Sequence, residues 1–478
     1  MFPSGMIDVT VEETSKKCPV TKGEILRFFG IWFFMATTSF DNQRDFWSTK
    51  EVSKFSGAPY RFGHPMTRYR FEAILSALTI TNRKAPSYKD GFWEVRQLME
   101  EWNDNMEMFF SLSWINCLDE SMSKWLSEFT CPGFMCVFRK PWPFGNQYHT
   151  ICCCKTGILW RAEIVKGKDT PPERPPKKYS SHGKTAALLL RLTEPIWGSG
   201  RVVILDSGFC VLKAIVELRK RGVYSSALIK KRRYWPAHIP GDKIKKHFED
   251  MPIGSVDVWS GNMEGVSFAV HCFKEPSYIL SLMSTYRTTE QLGEEKDRDE
   301  SNTKVKYPEV VHNHYKYKDA VDSHNGSRMF PLALEETWKT IRWPLRVLQF
   351  YLAITEVNVR LASEHLYNNE PKTQIEFRKE FAKSLIYNKY IMKKETPASK
   401  RKSPRKESEH VLVKLDPFTN FDNGGRIIKS VTRCVQRKCQ CGSRRVHTYC
   451  KCSPGIFYCN ECFSKHQLDS ITCTLTYD

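Results

Sequence analysis

Short apolar segments follow one another closely between residues 112 and 230, and their order restricts the fold more than any other feature of the chain. Trp114 to Leu118, Phe134 to Arg139, His149 to Cys154 and Ile158 to Val165 are β-rich. Their short connections predict a set of three neighbouring antiparallel strands. Thr185 to Leu192 reads as a helix, Arg201 to Leu205 as a buried strand, Val211 to Arg221 as a helix ending near Gly222, and Ser225 to Ile229 as a fifth strand. Three strands, helix, strand, helix, strand is the order of an RNase H-like α/β fold. In that order the ends of the first and fourth strands lie side by side.

Three aspartates fall at telling places in this pattern. Asp119 ends the first strand segment and Asp206 ends Arg201-Val-Val-Ile-Leu. Asp322, in Lys318-Asp-Ala-Val-Asp-Ser-His-Asn, opens a distant helical stretch. A lone aspartate at a strand end is usually a turn or cap residue. Two on adjacent strand ends, with a third from a helix, make a two-metal site for phosphodiester chemistry. Hard oxygen ligands suit Mg²⁺ or Mn²⁺. Asp206 is expected to bridge both ions, with Asp119 and Asp322 holding one each. Glu120 points to the opposite strand face and reads as structural.

The charge balance points the same way. The 73 Lys+Arg residues against 53 Asp+Glu give +20, which favours a polyanionic partner, nucleic acid above all. Arg139, Lys140 and the run Lys230, Lys231, Arg232 and Arg233 are candidate phosphate contacts near the catalytic face. Arg342 and Trp343 are further candidate DNA contacts, Trp343 by stacking on an exposed base, although packing in a core is the commoner fate of a tryptophan. Ser, Asp and two Glu interrupt the first residues, so no secretory signal is read there. The most apolar run, Phe28 to Ala36, is far short of the ~20 residues a membrane span needs.

The chain divides further by composition. Residues 1–111 read as helical, with Thr21-Lys-Gly-Glu as a helix start. Residues 112–230 form the first part of the core. Residues 231–305 read as a separate insertion with strands at Ser255 to Trp259, Ser267 to Cys272 and Tyr278 to Met283, ended by the polar stretch Thr288 to Lys304. Residues 306–330 return the core helix bearing Asp322, and 331–393 are helical again. Residues 394–430 are a basic linker in which Lys400-Arg-Lys-Ser-Pro-Arg-Lys reads as a nuclear localisation run. In 431–478, Cys434, Cys439, Cys441, Cys450, Cys452, Cys459, Cys462 and His466 have the short spacings of tetrahedral zinc ligands. They suffice for two interleaved, RING/PHD-like Zn²⁺ sites, and so short a tail has too little core to fold without metal.

Leu118-Asp-Glu-Ser-Met-Ser-Lys-Trp, Arg139-Lys-Pro-Trp-Pro-Phe-Gly-Asn-Gln-Tyr-His, Asp206-Ser-Gly-Phe-Cys, Ala320-Val-Asp-Ser-His-Asn and Arg342-Trp-Pro, in this order, resemble the piggyBac transposase-derived family over nearly the whole chain. The resemblance implies an RNase H-like DDD core interrupted by an insertion, with a helical dimerisation and DNA-binding region contributed from both sides. It implies a homodimer on double-stranded DNA in the nucleus, cutting and pasting at TTAA targets. Asp119 and Asp206 match the first two catalytic aspartates and Asp322 the third. Asp319 stands where a small residue is more usual, which leaves a register with Asp319 as a ligand. Asn325 stands where the founding type has an acid. Beside an active transposase stand two alternatives: a domesticated DNA- or chromatin-binding protein without the reaction, and a RING/PHD-like zinc interaction protein.

Overall fold

The computed structural model describes the chain apart from residues 40–41, 49–59, 168–177, 240, 287–290, 298–303, 368, 392–411, 417, 423–425, 430–436, 452–454 and 469–478. It divides into two units, Met1–Met392 and Lys393–Asp478.

In the first unit, the leading helices are α1 (Ser4–Ser15), α2 (Lys22–Met35), α3 (Arg68–Ala77) and α4 (Trp93–Phe109). Thr21 and Glu24 close a reciprocal capping box at the start of α2, as the Thr-x-x-Glu spacing predicts. The sheet then opens with β1 (Ile115–Lys124), β2 (Met135–Cys136), β3 (Phe144–Cys153) and β4 (Leu159–Ile164). It continues through α5 (Lys184–Thr193), β5 (Val202–Leu205), α6 (Leu212–Lys220) and β6 (Tyr224–Leu228). Strands β1, β5 and β6 run parallel; β3 lies antiparallel to β1 and β4 antiparallel to β3. The sequence expects the first and fourth strands side by side, and they are. Every residue of β5 is buried, which explains its unbroken Val-Val-Ile-Leu run: a central parallel strand is covered on both faces.

Two expectations fail here. The expected strand Phe134 to Arg139 shrinks to β2, two residues long. Val137 bonds back to Pro143 (N–H to O, 2.7 Å) and Lys140 to Val137 (3.0 Å), so the chain turns there. Residues 231–305 also do not stand apart. After α7 (Gly241–His247) come β7 (Val256–Met263), β8 (Val266–Lys274) and β9 (Ile279–Ser284). β9 pairs antiparallel with β6 from Ser226↔Ser284 to Leu228↔Leu282, extending the same sheet. A strand edge with unpaired N–H and C=O groups invites such pairing, and β9 covers the edge that β6 would otherwise expose. The polar stretch after it holds β10 (Gln291–Asp297), with β11 (Lys304–Pro308) as its antiparallel partner.

The remaining helices are α8 (Glu309–Tyr317), α9 (Ala320–Met329), α10 (Leu334–Thr337), α11 (Trp343–Tyr367) and α12 (Gln374–Ile386). α2 packs on α12 and α4 on α11, so both ends of this unit build one helical layer. Gly23 and Gly30 of α2 permit that approach, since a Cβ would meet the backbone of Tyr390 at 2.5 Å and of Ala382 at 2.8 Å respectively. The indoles of Trp32 and Trp338 stack at 3.8 Å inside the layer. Among the described residues no helix is long and apolar enough to cross a membrane.

The second unit contains β12 (Leu412–Lys414), β13 (Thr419–Phe421), β14 (Ile427–Lys429), β15 (Thr448–Cys450) and α13 (Asn460–Leu468). β12 pairs with β15 and β13 with β14, both antiparallel.

Candidate active site and metal centre

The sheet places two of the aspartates. β1 and β5 stay in register to Leu118↔Leu205, where β5 ends. Asp206 leaves the sheet in an extended conformation, ahead of the turn Ser207–Phe209. Asp119 is not at a strand end as expected: β1 runs on to Lys124, and Asp119 still faces Thr150 of β3. What ends at Leu118 is the parallel neighbour. Asp119 therefore stands beside a gap at the carboxyl end of β5, and such a crevice is where open α/β sheets bind ligands.

Helix α9 supplies the third carboxylate. Val321 is fully buried against Cys117 and Cys152, and the Cys117 thiol donates to the Lys318 carbonyl at 3.2 Å. Seven residues on, Arg328 donates to the Met122 carbonyl at 2.6 Å. Val321 and Arg328, two turns apart on one face, pin the helix along β1. Asp322, next to Val321, is thereby held over Asp119. Lys140 joins them: its Nζ lies 3.2 Å from Asp322 Oδ1 and 4.0 Å from Asp119 Oδ2. Asp319 precedes the helix and pairs with its neighbour Lys318 at 2.8 Å. Geometry thus links Asp322, rather than Asp319, to Asp119. Both line a cleft of about 530 Å³, together with Asp119, Asp206, Arg139, Lys140, Lys230 and His314.

Charge is concentrated there. Asp119 is only 8% exposed, and burial pushes its carboxyl up from 3.8 to about 6, against the pull of Lys140 and of the Glu120 N–H. The charges of Glu120 and Asp206 push the same way as burial. Burial, reinforced by Lys318, holds His314 down at about 4. Lys230 approaches Asp206 at 3.8 Å, and Arg139 pairs with Glu120. Acidic oxygens converging from a strand, a loop and a helix, with lysine ammonium groups beside them, fit a hard divalent cation.

Other expected contacts are elsewhere. Trp343 is 5% exposed, donates to Asn146 Oδ1 at 2.6 Å and packs edge-on against Phe92, so it offers no face to a base. Arg342 donates to the carbonyls of Leu75, Ser76 and Leu78 and so satisfies the last carbonyls of α3. Lys231 and Arg233 are exposed but do not line the cleft, and Arg233 folds over the ring of Tyr234. Arg232 lies in the short turn Arg232–Tyr234. Asn325 is buried, its side-chain oxygen without a hydrogen-bond partner, and it is not among the cleft-lining residues. The sequence missed His314 and the position of Lys140 between two carboxylates; no spacing in the chain signals either.

In the second unit, Cys439, Cys441, Cys459 and Cys462 bring their sulfurs within 4.8 Å of one another, and none is in a disulfide. Gly442 takes φ +74°, a left-handed turn that lets Cys439 and Cys441 point inward together. The Cys459 N–H donates to Cys439 Sγ at 3.0 Å. A tetrahedral thiolate site is the natural use of such a group. Cys450 and His466 are buried outside it, His466 stacked on Tyr458 at 4.6 Å. Cys434 and Cys452 lie outside the described residues.

A family model described as Transposase IS4 matches residues 2–359, and the chain belongs to that family. The fold is similar to that of a piggyBac transposase solved by cryo-EM in a synaptic complex with hairpin DNA, with a TM-score of 0.67 and 16% identity over 96% of this chain and 95% of that one. A search of curated proteins finds no match.

Proposed function

We propose that the protein is a DNA strand-cleaving and strand-transferring transposase centred on Asp119, Asp206 and Asp322. One observation carries the reading: carboxylates from β1, from the end of β5 and from α9, separated by up to 203 positions in sequence, meet in one cleft. The sheet order β4-β3-β1-β5-β6, with the last three strands parallel, supports an RNase H-like core. When bound there, two Mg²⁺ or Mn²⁺ ions supply activation of the attacking water or 3′-OH and stabilisation of the departing oxygen.

The protein's own part is to bind and orient. Asp119, Asp206 and Asp322 would hold the ions, Asp206 being the one shared between them, and the short aspartate side chain would fix each position closely. Arg139, Lys140 and Lys230 at the cleft hold DNA phosphates. The helical layer serves DNA binding and dimerisation, the group Cys439, Cys441, Cys459 and Cys462 holds Zn²⁺, and the remaining tail cysteines with His466 are the candidates for a second Zn²⁺. Nuclear location and TTAA targets complete the reading, by resemblance to piggyBac.

The test is a duplex carrying the element's own terminal repeats, incubated with Mg²⁺ and either the wild type or Asp206→Ala. A Mg²⁺-dependent nick leaving a 3′-OH is expected from the wild type alone; nicks identical in both proteins refute the assignment. Asn325 in place of an acid favours one second reading, a domesticated DNA-binding protein. It predicts no nicks but binding that weakens with salt at a log–log slope near −0.9 per phosphate neutralised.

A further inference from the structure

Lys140 occupies ground that the proposed reaction needs for something else. The turn made by its own N–H to the Val137 carbonyl at 3.0 Å, and by Val137 to Pro143 at 2.7 Å, fixes its backbone. From there the side chain, 12% exposed, runs into the cleft. Its ammonium donates to the Glu120 carbonyl at 3.2 Å and to Asp322 Oδ1 at 3.2 Å, and stands 4.0 Å from Asp119 Oδ2. It is the cation between the strand carboxylate and the helix carboxylate. A divalent ion shared with those carboxylates would sit within a few ångströms of it, where like charges repel strongly. The ammonium must leave for the ion to bind well.

An anion at the rim makes that exit easier. Arg139, the preceding residue, lines the cleft, is 58% exposed and pairs with Glu120. A DNA phosphate arriving beside Arg139 offers the Lys140 ammonium a charge-assisted partner in place of the two carboxylates. Whatever draws Lys140 away frees Asp119 and Asp322, and by linkage metal must in turn favour DNA binding by the same factor. We infer that Lys140 is a placeholder cation that couples DNA binding to metal loading at Asp119 and Asp322. This inference rests on the metal-site reading above. Lys140 is here a positioning residue, acting through the carboxylates. Lys230, at 3.8 Å from Asp206 and 58% exposed, is too loosely held to do the same.

The test is direct Mn²⁺ binding, read from the EPR signal of free Mn²⁺, to the zinc-replete full chain. Wild type, Lys140→Met, Lys140→Gln, Lys140→Arg and Asp206→Ala are titrated with and without a short duplex, subtracting the Mn²⁺ taken up by duplex alone. Without DNA, Lys140→Met and Lys140→Gln should bind Mn²⁺ about ten-fold or more tightly than wild type, and Lys140→Arg should stay weak. Duplex should tighten Mn²⁺ binding to the wild type and leave the two neutral variants unchanged. A merely structural lysine predicts weaker binding on removal, the opposite sign. Mn²⁺ binding that Asp206→Ala abolishes, but that is no tighter in either neutral variant, overturns the role of Lys140 while keeping the site. Mn²⁺ binding that Asp206→Ala leaves intact overturns both.

Discussion

Asp119→Asn should make the protein more stable while abolishing the reaction proposed for it. Asp119 is buried, its Oδ1 accepts from the Glu120 N–H at 2.7 Å, and its nearest cation, Lys140, stays 4.0 Å away. Burial outweighs both interactions and lifts the carboxyl from 3.8 to about 6. The fold therefore prefers the neutral form by about two pKa units, or about 3 kcal/mol. The sign follows from the unfolded chain, where the group titrates near 4. Below that pH both states are neutral and the contribution is fully present. As pH rises through about 6 the folded group is forced to ionise and the contribution is lost. Asparagine keeps the shape and the acceptor of the Glu120 bond without the charge. Asp119→Asn should thus exceed wild type by up to ~3 kcal/mol at pH 8, and the gap should widen by about 1.4 kcal/mol between pH 5 and pH 8. Urea unfolding followed by tryptophan fluorescence, without added Mg²⁺ or Mn²⁺, measures the difference. Zinc loss at low pH affects both proteins alike. A variant no more stable than wild type at pH 8, or a gap that does not change with pH, refutes the reasoning.

Arg378 of α12 donates to both oxygens of Glu356 on α11, at 2.7 and 3.0 Å, and to the Ala36 carbonyl at 2.7 Å, all fully buried. Arg378→Met should cost about 3–5 kcal/mol in urea unfolding by stranding Glu356, and adding Glu356→Leu should recover most of it. Cys459→Ser or Cys462→Ser should lower zinc by about one atom per chain, read by metal analysis, because each removes one of four converging thiolates. Trp343→Phe should destabilise by about 1 kcal/mol through loss of the indole bond to Asn146 Oδ1, which keeps only the weak Cys131 thiol donor at 3.3 Å, yet leave the DNA affinity of the folded protein unchanged.

The strand order could be read from the chain because each segment's apolar run is set by its own burial. Val202 to Leu205 is apolar throughout because β5 is covered on both faces, and the connections leave few ways to pair it. The limits of Asp119's strand could not be read, since of Glu120 to Lys124 only Met122 is apolar, although Ser121 and Ser123 are buried as well. Nor could the pairing of β9 with β6, because it depends on which edge stays open once the sheet has formed. Trp343 and Arg342 looked like DNA contacts from composition alone. Their fates were decided by Asn146 and by the end of α3, positions 197 and 264 to 267 residues distant. Among the tail cysteines, spacing marked the class of site, and which four sulfurs meet depends on contacts made in the fold, such as the Cys459 N–H on Cys439 Sγ.

The same long separations explain how the cleft tolerates its own charge. Four carboxylates around about 530 Å³ repel one another, and only Asp319 has its counter-charge beside it in the sequence. The relief comes from lysines of the lining: Lys140 between Asp119 and Asp322, Lys230 beside Asp206, and Lys318 on its neighbour Asp319. Each lysine belongs to a segment that also lines the cleft, so the counter-charge arrives with the fold itself. Asn325 fits this balance. It is buried away from the cleft lining, where a carboxylate would add a further desolvation cost beside that of Asp119. Its neutrality removes no ligand from the cleft, and the reading of the site rests on the three aspartates that do face it.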